Sequence, residues 1–417
     1  MLHCRTLFRW VNHKLENIQI KKIEKKIKSN TNNDDSLVYD SIYQENRNFR
    51  KYDTDIKTVA FYLPQFHTFP ENDKWWGKGF TEWTNTRKCM PRFEGHYQPR
   101  VPHKDIGYYD LSKDETMEAQ IELALQHQLY GFCFYYYWFS GKKLMEKPLE
   151  CLMKHPEWKI HFCLCWANEN FTRTWDGAKN DILMEQKYKD GDSENFIRDI
   201  KKYMADERYI RVDNKPVILI YNLGAVPNPK KILKEWRFFA QQEGIGDILI
   251  WVCRTKGINA EILGVQNEVD AEIEFPPHNM WWKTIMIENN RDDHPKIYNY
   301  KKLVEILSYR IKTERNKNMK IYHTCMMGWD NSCRRKEGWT LYTGFSTEYF
   351  GKWIAAVVDK LRKNEKSDRR FLFINAWNEW GEGTYLEPDQ TYGYANINML
   401  SEQICICTQE NKKTVNM

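Results

Sequence analysis

Two glutamates, Glu379 and Glu382, lie three residues apart in the stretch NAWNEWGEG near the C-terminal end of a 417-residue chain. Making or breaking a glycosidic bond uses two such carboxyls: one gives a proton to the leaving oxygen, and the other acts as base or nucleophile. Their surroundings must push the two pKa values apart, so that one holds a proton near neutrality while its neighbour is ionised. Trp377 and Trp380 flank Glu379 and offer the apolar surface that raises a carboxyl's pKa. Gly381 and Gly383 allow a sharp backbone turn that lets both side chains face one cavity. An isolated ExxE is ordinarily a pair of surface carboxylates. Here the pair follows the apolar, β-forming run Phe371, Leu372, Phe373 and Ile374, which reads as a buried strand that delivers it.

The rest of the chain must supply the frame for that strand. Strand-like apolar runs occur at 58–66, 130–139, 160–170, 216–222, 247–253, 270–275, 320–329 and 370–380. Amphipathic segments such as DETMEAQIELALQHQ, SENFIRDIKKYMADE, NPKKILKEWRFFAQQEG and STEYFGKWIAAVVDKLRKN lie between them, and YKKLVEILSYRIK precedes the seventh. Near-continuous apolar strands with helical crossovers indicate a parallel sheet buried on both faces, and eight such units predict a closed (β/α)8 TIM barrel. No GxGxxG or GxxxxGK[ST] loop follows a strand, which argues against a nucleotide-binding doubly wound sheet. Two connections are long and Trp-rich: the first, from about Gln65 to Ser112, and the sixth, which holds PPHNMWWK. Long βα loops cap the C-terminal mouth of a barrel, where active sites sit.

Polar and aromatic residues gather at the C-terminal ends of these runs. Tyr62, Gln65 and His67 end the first, and Tyr135, Tyr136, Tyr137 and Trp138 end the second. Asn168, Glu169 and Asn170 end the third, ahead of Arg173, Trp175 and Asp176. Tyr221 and Asn222 end the fourth, Glu272 and Glu274 the sixth, and Trp329, Asp330 and Asn331 the seventh. One polar strand end is ordinary hydrogen-bonded structure, whereas their accumulation at one rim marks a functional face. The expected cleft lining is Tyr62, His67, Glu82, Trp83, Asn168, Glu169, Arg173 and Trp175, with Asn378 and Trp380 beside the glutamates. Trp83 or Trp175 is the candidate to stack on a sugar ring. Glu274 is expected to hydrogen-bond sugar hydroxyls or to pair with an arginine such as Arg254. Loop packing is the competing account of each of these residues.

Composition agrees with a carbohydrate cleft. Hydrophobic residues make up 41% and charged residues 29%, as in a globular chain, but aromatic residues reach 15%, with 17 Trp and 24 Tyr. A large apolar face with a polar tip suits the C–H faces and hydroxyl rim of a sugar. The net charge of +6 is too small to imply nucleic acid. Part of it lies in a basic amphipathic segment within residues 1–29, which fits either contact with an anionic membrane or packing on the domain. No run of about 18 apolar residues predicts a transmembrane helix, and the N-terminus lacks a secretory signal pattern. Eleven cysteines, several in strand-like runs, read as reduced core residues of a cytoplasmic protein, peripheral at most to the inner face of a membrane. His161, Cys163 and Cys165 alternate along one strand, an awkward arrangement for zinc. No metal or organic cofactor is called for. The domain reading is a basic helical extension and linker at 1–56, a barrel at 57–408, and a polar, disordered tail at 409–417.

The segments FYLPQFHTFPENDKWWGKGFTEWTNTRK, GHYQPRVP, YGFCFYYYWF, CWANENFTRTWDG and NAWNEWGEGTYLEPD resemble the WbsX-type polysaccharide-biosynthesis proteins, in the same order, over about residues 57–395. Those are similar to the endo-α-1,2-mannosidase and mannanase family of retaining glycoside hydrolases. The resemblance implies that Glu379 is the base toward the sugar 2-hydroxyl and Glu382 the acid toward the leaving oxygen, through a 1,2-anhydro sugar and no glycosyl-enzyme bond. It also places Gly381 where the hydrolases carry a histidine. The implied function is an enzyme acting on α-glycosidic bonds of an oligosaccharide or polysaccharide in surface-polysaccharide or O-antigen metabolism. The alternatives are a sugar-nucleotide-dependent glycosyltransferase and a non-catalytic glycan-binding barrel. The DxD patterns at Asp53–Asp55 and Asp190–Asp192 fall before the first strand and in a loop, away from the positions such a transferase would use.

Overall fold

A computed structural model describes residues 18–23, 25, 41–172, 181–289, 295–314 and 319–415, with side chains described as far as Cys405. Among these residues, eight parallel strands close a barrel. They are β1 (Lys57–Tyr62), β2 (Gly131–Phe139), β3 (His161–Trp166), β4 (Lys215–Ile220), β5 (Leu249–Arg254), β6 (Ala271–Glu274), β7 and β8 (Phe371–Asn375). β7 comes in two pieces, Ile321–Tyr322 on β6 and Thr324–Met326 on β8, and this split strand joins the two edges of the sheet. β1 lies between β8 and β2, so the first and last strands are neighbours.

Strand parity decides what each side chain does. Phe61 points inward, 5.8 Å from Tyr135 and 4.8 Å from Phe275 between ring centres, and Tyr221 packs 5.2 Å from Phe275. These rings fill the barrel below its mouth. The alternate residues point outward: Tyr62 gives its hydroxyl to Gln120 Oε1 at 2.6 Å, and Tyr136 to Asp199 Oδ2 at 2.8 Å. Cys133, Cys163, Cys165 and Cys253 are buried and free.

The outer helices are α1 (Asp114–Gln126), α2 (Lys147–Lys154), α3 (Asp192–Met204), α4 (Pro229–Gln242), α5 (Tyr300–Thr313), α6 (Thr347–Asn364) and α7 (Ala395–Val415). Their starts are chemically marked: Asn228, Asn299 and Ser346 accept from the backbone N–H three residues on, and Pro229 fills the first position of α4. The connection from β5 to β6 is built of turns in place of a helix. α7 runs on past Gln409, through most of the segment expected to be disordered; Glu410, Lys412 and Lys413 are all good helix formers. At the other end, residues 18–23 are helical and Ile20 is buried in the core.

The long loops carry structure of their own. The first holds two short helices, Pro70–Trp76 and Glu82–Lys88, the second opening in a capping box between Thr81 and Thr84. The sixth and seventh share a four-stranded sheet: Met286–Asn289, Lys296–Asn299, Thr340–Thr343 and Trp329–Asp330. The seventh run of the sequence therefore ends its barrel part at Met326, and Trp329 belongs to this separate sheet. No helix among the described residues is long and apolar enough to cross a membrane.

Candidate active site

After β8 the chain makes a small hairpin. Asn378–Glu379 pairs antiparallel with Thr384–Tyr385 around a tight turn at Trp380–Glu382. Gly383 closes the turn with φ +63°, a left-handed conformation that glycine adopts without a steric penalty. Asn378 clamps the hairpin to the end of β1: its Oδ1 accepts from Leu63 N at 2.7 Å and its Nδ2 donates to Leu63 O at 2.9 Å. Glu379 and Glu382 are thus held at the rim by the neighbouring strand.

Both carboxylates converge on Arg334, in the turn between Trp329–Asp330 and Thr340–Thr343. Arg334 Nη2 lies 2.9 Å from Glu379 Oε2, and Nη1 lies 2.8 Å from Glu382 Oε1. The same guanidinium reaches a third acid: Nε donates to Glu82 Oε1 at 2.9 Å. Glu82 is fully buried, and its Oε2 has no hydrogen-bond partner. Gly381 makes room for this arrangement. A Cβ there would lie 2.0 Å from Glu82 Oε1 and 2.8 Å from Arg334 Nε. Gly381 is needed for space, not for the backbone freedom that the sequence suggests, because its φ is not among the positive ones.

Electrostatics divides the acids. Burial pushes Glu379 up to about 8; Arg334 opposes this, and the charges of Glu382 and Glu82 add to it. Burial also raises Glu82. Burial works against the Arg334 charge, but the three carboxylates outweigh it and hold the guanidinium firmly protonated. The resemblance implies an ionised Glu379; in the free protein, burial favours a proton on Glu379. Side-chain exposure is 7% for Glu379 and 24% for Glu382, so the second acid is the one open to the cleft.

The cleft has a volume of about 570 Å³ and continues into a second chamber of about 720 Å³. Glu379, Glu382 and Arg334 line the first, with Tyr135 and Tyr137 on one side and His278, Trp281, Tyr298 and Trp329 on the other. Glu169 faces both chambers and is held by Lys256 and by Asn222 Nδ2 at 2.5 Å. Asn168, on the second chamber, exchanges hydrogen bonds with the backbone of Asn222, at 2.8 Å each way. His278 is held neutral by burial, down to about 4.

Several expected lining residues lie elsewhere. Tyr62 faces α1, because odd and even strand positions face opposite ways. His67 is buried with Nδ1 on Pro64 O, held down to about 4 by burial. Trp83 is buried against Phe66, Tyr109 and Trp380, its indole N–H on Tyr109 O, and offers no open face to a sugar. Trp380 is fully buried, stacked 3.8 Å from Tyr385, and donates to Glu387 Oε2 at 2.7 Å. Burial raises Glu387 to about 7, and the hydrogen bonds it accepts from Trp380, Tyr109 and Gln120 oppose that rise. Asn378 is structural, as described above. Glu82 holds Arg334 and does not line the cavity. Glu274 points into a buried ion network with Arg310 at 2.6 Å and His323 at 2.7 Å, and these partners, against the opposing effect of burial, hold it well below the usual carboxylate range. Arg173 and Trp175 lie outside the described residues.

Sequence reasoning missed Arg334, Trp281 and Tyr298. The Arg334–Arg335 pair in a βα loop and the tryptophans of PPHNMWWK were the available signals. Both DxD patterns are structural in part: Asp55 pairs with Arg362 and Arg370, and Asp192 accepts from Ser140 Oγ and Lys189 N.

A parallel (β/α)8 barrel with an aromatic cleft and paired acids at its C-terminal mouth is a scaffold on which enzymes of many chemistries, glycan-acting ones among them, are built. The chain belongs to the family described as Glycosyltransferase WbsX, whose model matches residues 58–400. It is 39% identical over 341 residues to an uncharacterized protein WxcX from Xanthomonas campestris pv. campestris, strain B100, and equally to that of strain ATCC 33913. The match covers 81% of this chain and 48% of the relative, so the chain spans about half the length of these curated relatives. Among solved structures, a glycoside hydrolase-like protein superposes with TM-score 0.55 at 14% identity, over 87% of this chain and 97% of the other. An endo-α-mannosidase of family GH99 from Bacteroides thetaiotaomicron superposes with TM-score 0.51 at 13% identity, over 87% and 99%. At those identities, the likeness is one of fold.

Proposed function

We propose that the chain acts on α-glycosidic bonds of a surface polysaccharide or its oligosaccharide precursor, in O-antigen or related metabolism, with Glu379 and Glu382 as its two catalytic carboxyls. The observation that carries this reading is the convergence of both acids on Arg334 in the wall of one aromatic cleft. A carboxylate whose conjugate acid titrates near 8 is a stronger base than an ordinary glutamate, which suits Glu379 to take the proton of a sugar 2-hydroxyl. As that O–H bond breaks, the oxygen attacks the anomeric carbon and the bond to the leaving oxygen breaks. Glu382, on the open side, gives the leaving oxygen its proton. Water or an acceptor hydroxyl then opens the 1,2-anhydro sugar, returning one proton to Glu382, while Glu379 gives its proton back to the 2-oxygen. Configuration is retained. Arg334 keeps the two acids together, and Trp281, the exposed ring of the lining, supplies a face for sugar C–H surfaces.

The test separates hydrolysis or transglycosylation from sugar-nucleotide transfer. Purified protein is incubated with α-mannoside oligosaccharides, and separately with UDP- and GDP-sugars plus an acceptor glycan. New reducing ends or rearranged oligosaccharides that vanish in Glu382→Gln support the reading. Acceptor-dependent nucleotide release indifferent to both glutamates overturns it in favour of a transferase. We place the protein in the cytoplasm, with peripheral contact to an anionic membrane through the basic segment at 1–29. Ile20 faces the core, so that contact falls to the other residues of the segment. Equal co-sedimentation with anionic liposomes after deletion of residues 1–50 overturns the membrane contact and leaves the catalytic reading untouched.

A further inference from the structure

Away from the cleft, the start of α1 meets the end of α2 in a cluster of three unlike groups. Asp114 opens α1, Cys151 lies within α2, and His155 is the residue that ends it. One ligand atom from each lies within 4.8 Å of the others. Cys151 Sγ is 3.0 Å from Asp114 Oδ1, and His155 Nε2 is 3.3 Å from Asp114 Oδ2. Metal–ligand bonds of about 2.0–2.3 Å in a tetrahedral zinc site set ligand atoms about 3.3–3.8 Å apart; the sulfur, Nε2 and one Asp114 oxygen, all within 4.8 Å of one another, reach that spacing by small side-chain shifts.

A second observation points the same way. His155 Nδ1 lies 2.7 Å from Glu157 Oε1, and the ring stacks on Trp158 at 4.1 Å with an interplanar angle of 13°. A carboxylate on Nδ1–H holds the ring with Nε2 toward Asp114, to which it donates until an ion replaces its proton; outer carboxylates orient metal-bound histidines in the same way. Cys151 is buried, so its sulfur is fixed in place. Burial, with the nearby Asp114 and Glu115 and against Lys154, keeps the thiol protonated when no metal is bound.

We propose that Asp114, Cys151 and His155 bind one zinc-like divalent cation, with Glu157 orienting His155 and a water completing the tetrahedron. Thiolate, imidazole and carboxylate together select a borderline-soft ion over magnesium or calcium. On binding, the Cys151 S–H and His155 Nε2–H bonds break, the metal–sulfur and metal–nitrogen bonds form, and both protons pass to solvent. The ion ties α1 to α2 and adds stability. None of the three ligands lines the cleft, so the site is independent of the glycan reading.

The test is a titration of chelator-treated full-length protein with Co²⁺, followed by absorption spectroscopy. One equivalent is expected to give tetrahedral d–d bands and a thiolate-to-cobalt charge-transfer band, both bleached by Zn²⁺. The charge-transfer band disappears in Cys151→Ser, and Glu157→Gln weakens binding about 10–100-fold. Zn²⁺ raises the thermal midpoint of the wild type but not that of Asp114→Asn. Absence of the charge-transfer band in folded wild-type protein, or its survival in Cys151→Ser, overturns the site. If Cys151→Ser does not fold, wild-type cobalt affinity in both Asp114→Asn and His155→Gln overturns it equally, and its loss in both supports it.

Discussion

Gly381 and Glu82, 299 residues apart in sequence, compete for one volume: a Cβ on residue 381 would sit 2.0 Å from Glu82 Oε1. The ion pair between Glu82 and Arg334 occupies the space that a side chain at 381 would fill. Gly381→Ala therefore displaces a buried carboxylate and, with it, Arg334. The expected cost is about 1–3 kcal/mol of stability, the usual range for overpacking. Misplacing the two acids lowers kcat/KM by about 100-fold. Adding Glu82→Ala relieves the closest clash but leaves Arg334 without its buried partner, so the two changes are non-additive in the thermal midpoint and activity is not recovered. Equal midpoints for wild type and Gly381→Ala contradict this packing.

The pH dependence follows from Glu379. Its folded-state pKa of about 8 lies above the ordinary 4.5, so the folded protein keeps a proton that the unfolded chain releases. Stability from this group is complete below about 4.5, declines as pH rises through the folded pKa, and is gone above it. Glu379→Gln should accordingly gain on wild type between pH 4.5 and 8, by about 1–3 kcal/mol at the upper end, the range for a buried polar group left unsatisfied. Thermal melts of both proteins across this window check the sign. The pair acts with Glu379 ionised and Glu382 holding the one shared proton, so kcat/KM falls as pH rises above about 8, where the pair loses that proton. A profile that keeps rising above that pH contradicts a proton shared between the two acids.

Two tryptophans separate binding from folding. Trp281 is 36% exposed and lines the cleft, whereas Trp83 is buried in the core. Trp281→Ala raises KM by about 3–10-fold, the loss expected of one aromatic face worth about 0.5–1.5 kcal/mol, and leaves the melting temperature near wild type. Trp83→Ala destabilises by about 3–5 kcal/mol. Steady-state kinetics beside thermal melts distinguishes them, and the reverse pattern contradicts the lining described for the cleft.

The barrel was legible because its signals are local. Apolar runs and capped amphipathic helices repeat along the chain, and the acids of the last strand sit beside that strand in sequence. The errors at the strand ends have one physical origin. Reading every polar residue at a strand end as facing the mouth ignores parity: Tyr135 and Tyr137 line the cleft, while Tyr62, Tyr136 and Trp138 pack outward. Arg334 was hidden for a different reason. Its partners lie 252 and 45 residues away, so only the folded loops bring them together. The aromatic content pointed to a sugar cleft, but it could not tell Trp281, at the cavity, from Trp83 and Trp380, in the core.

The central claim is that Glu379 and Glu382 work as a pair on a glycosidic bond. Product analysis of α-mannoside oligosaccharides exposed to wild type, Glu379→Gln and Glu382→Gln tests it most directly. The account predicts cleavage or transfer by the wild type, with each variant reduced at least about 100-fold, the lower bound for loss of an acid or base, while both variants still melt cooperatively. Turnover undiminished in either folded variant contradicts it.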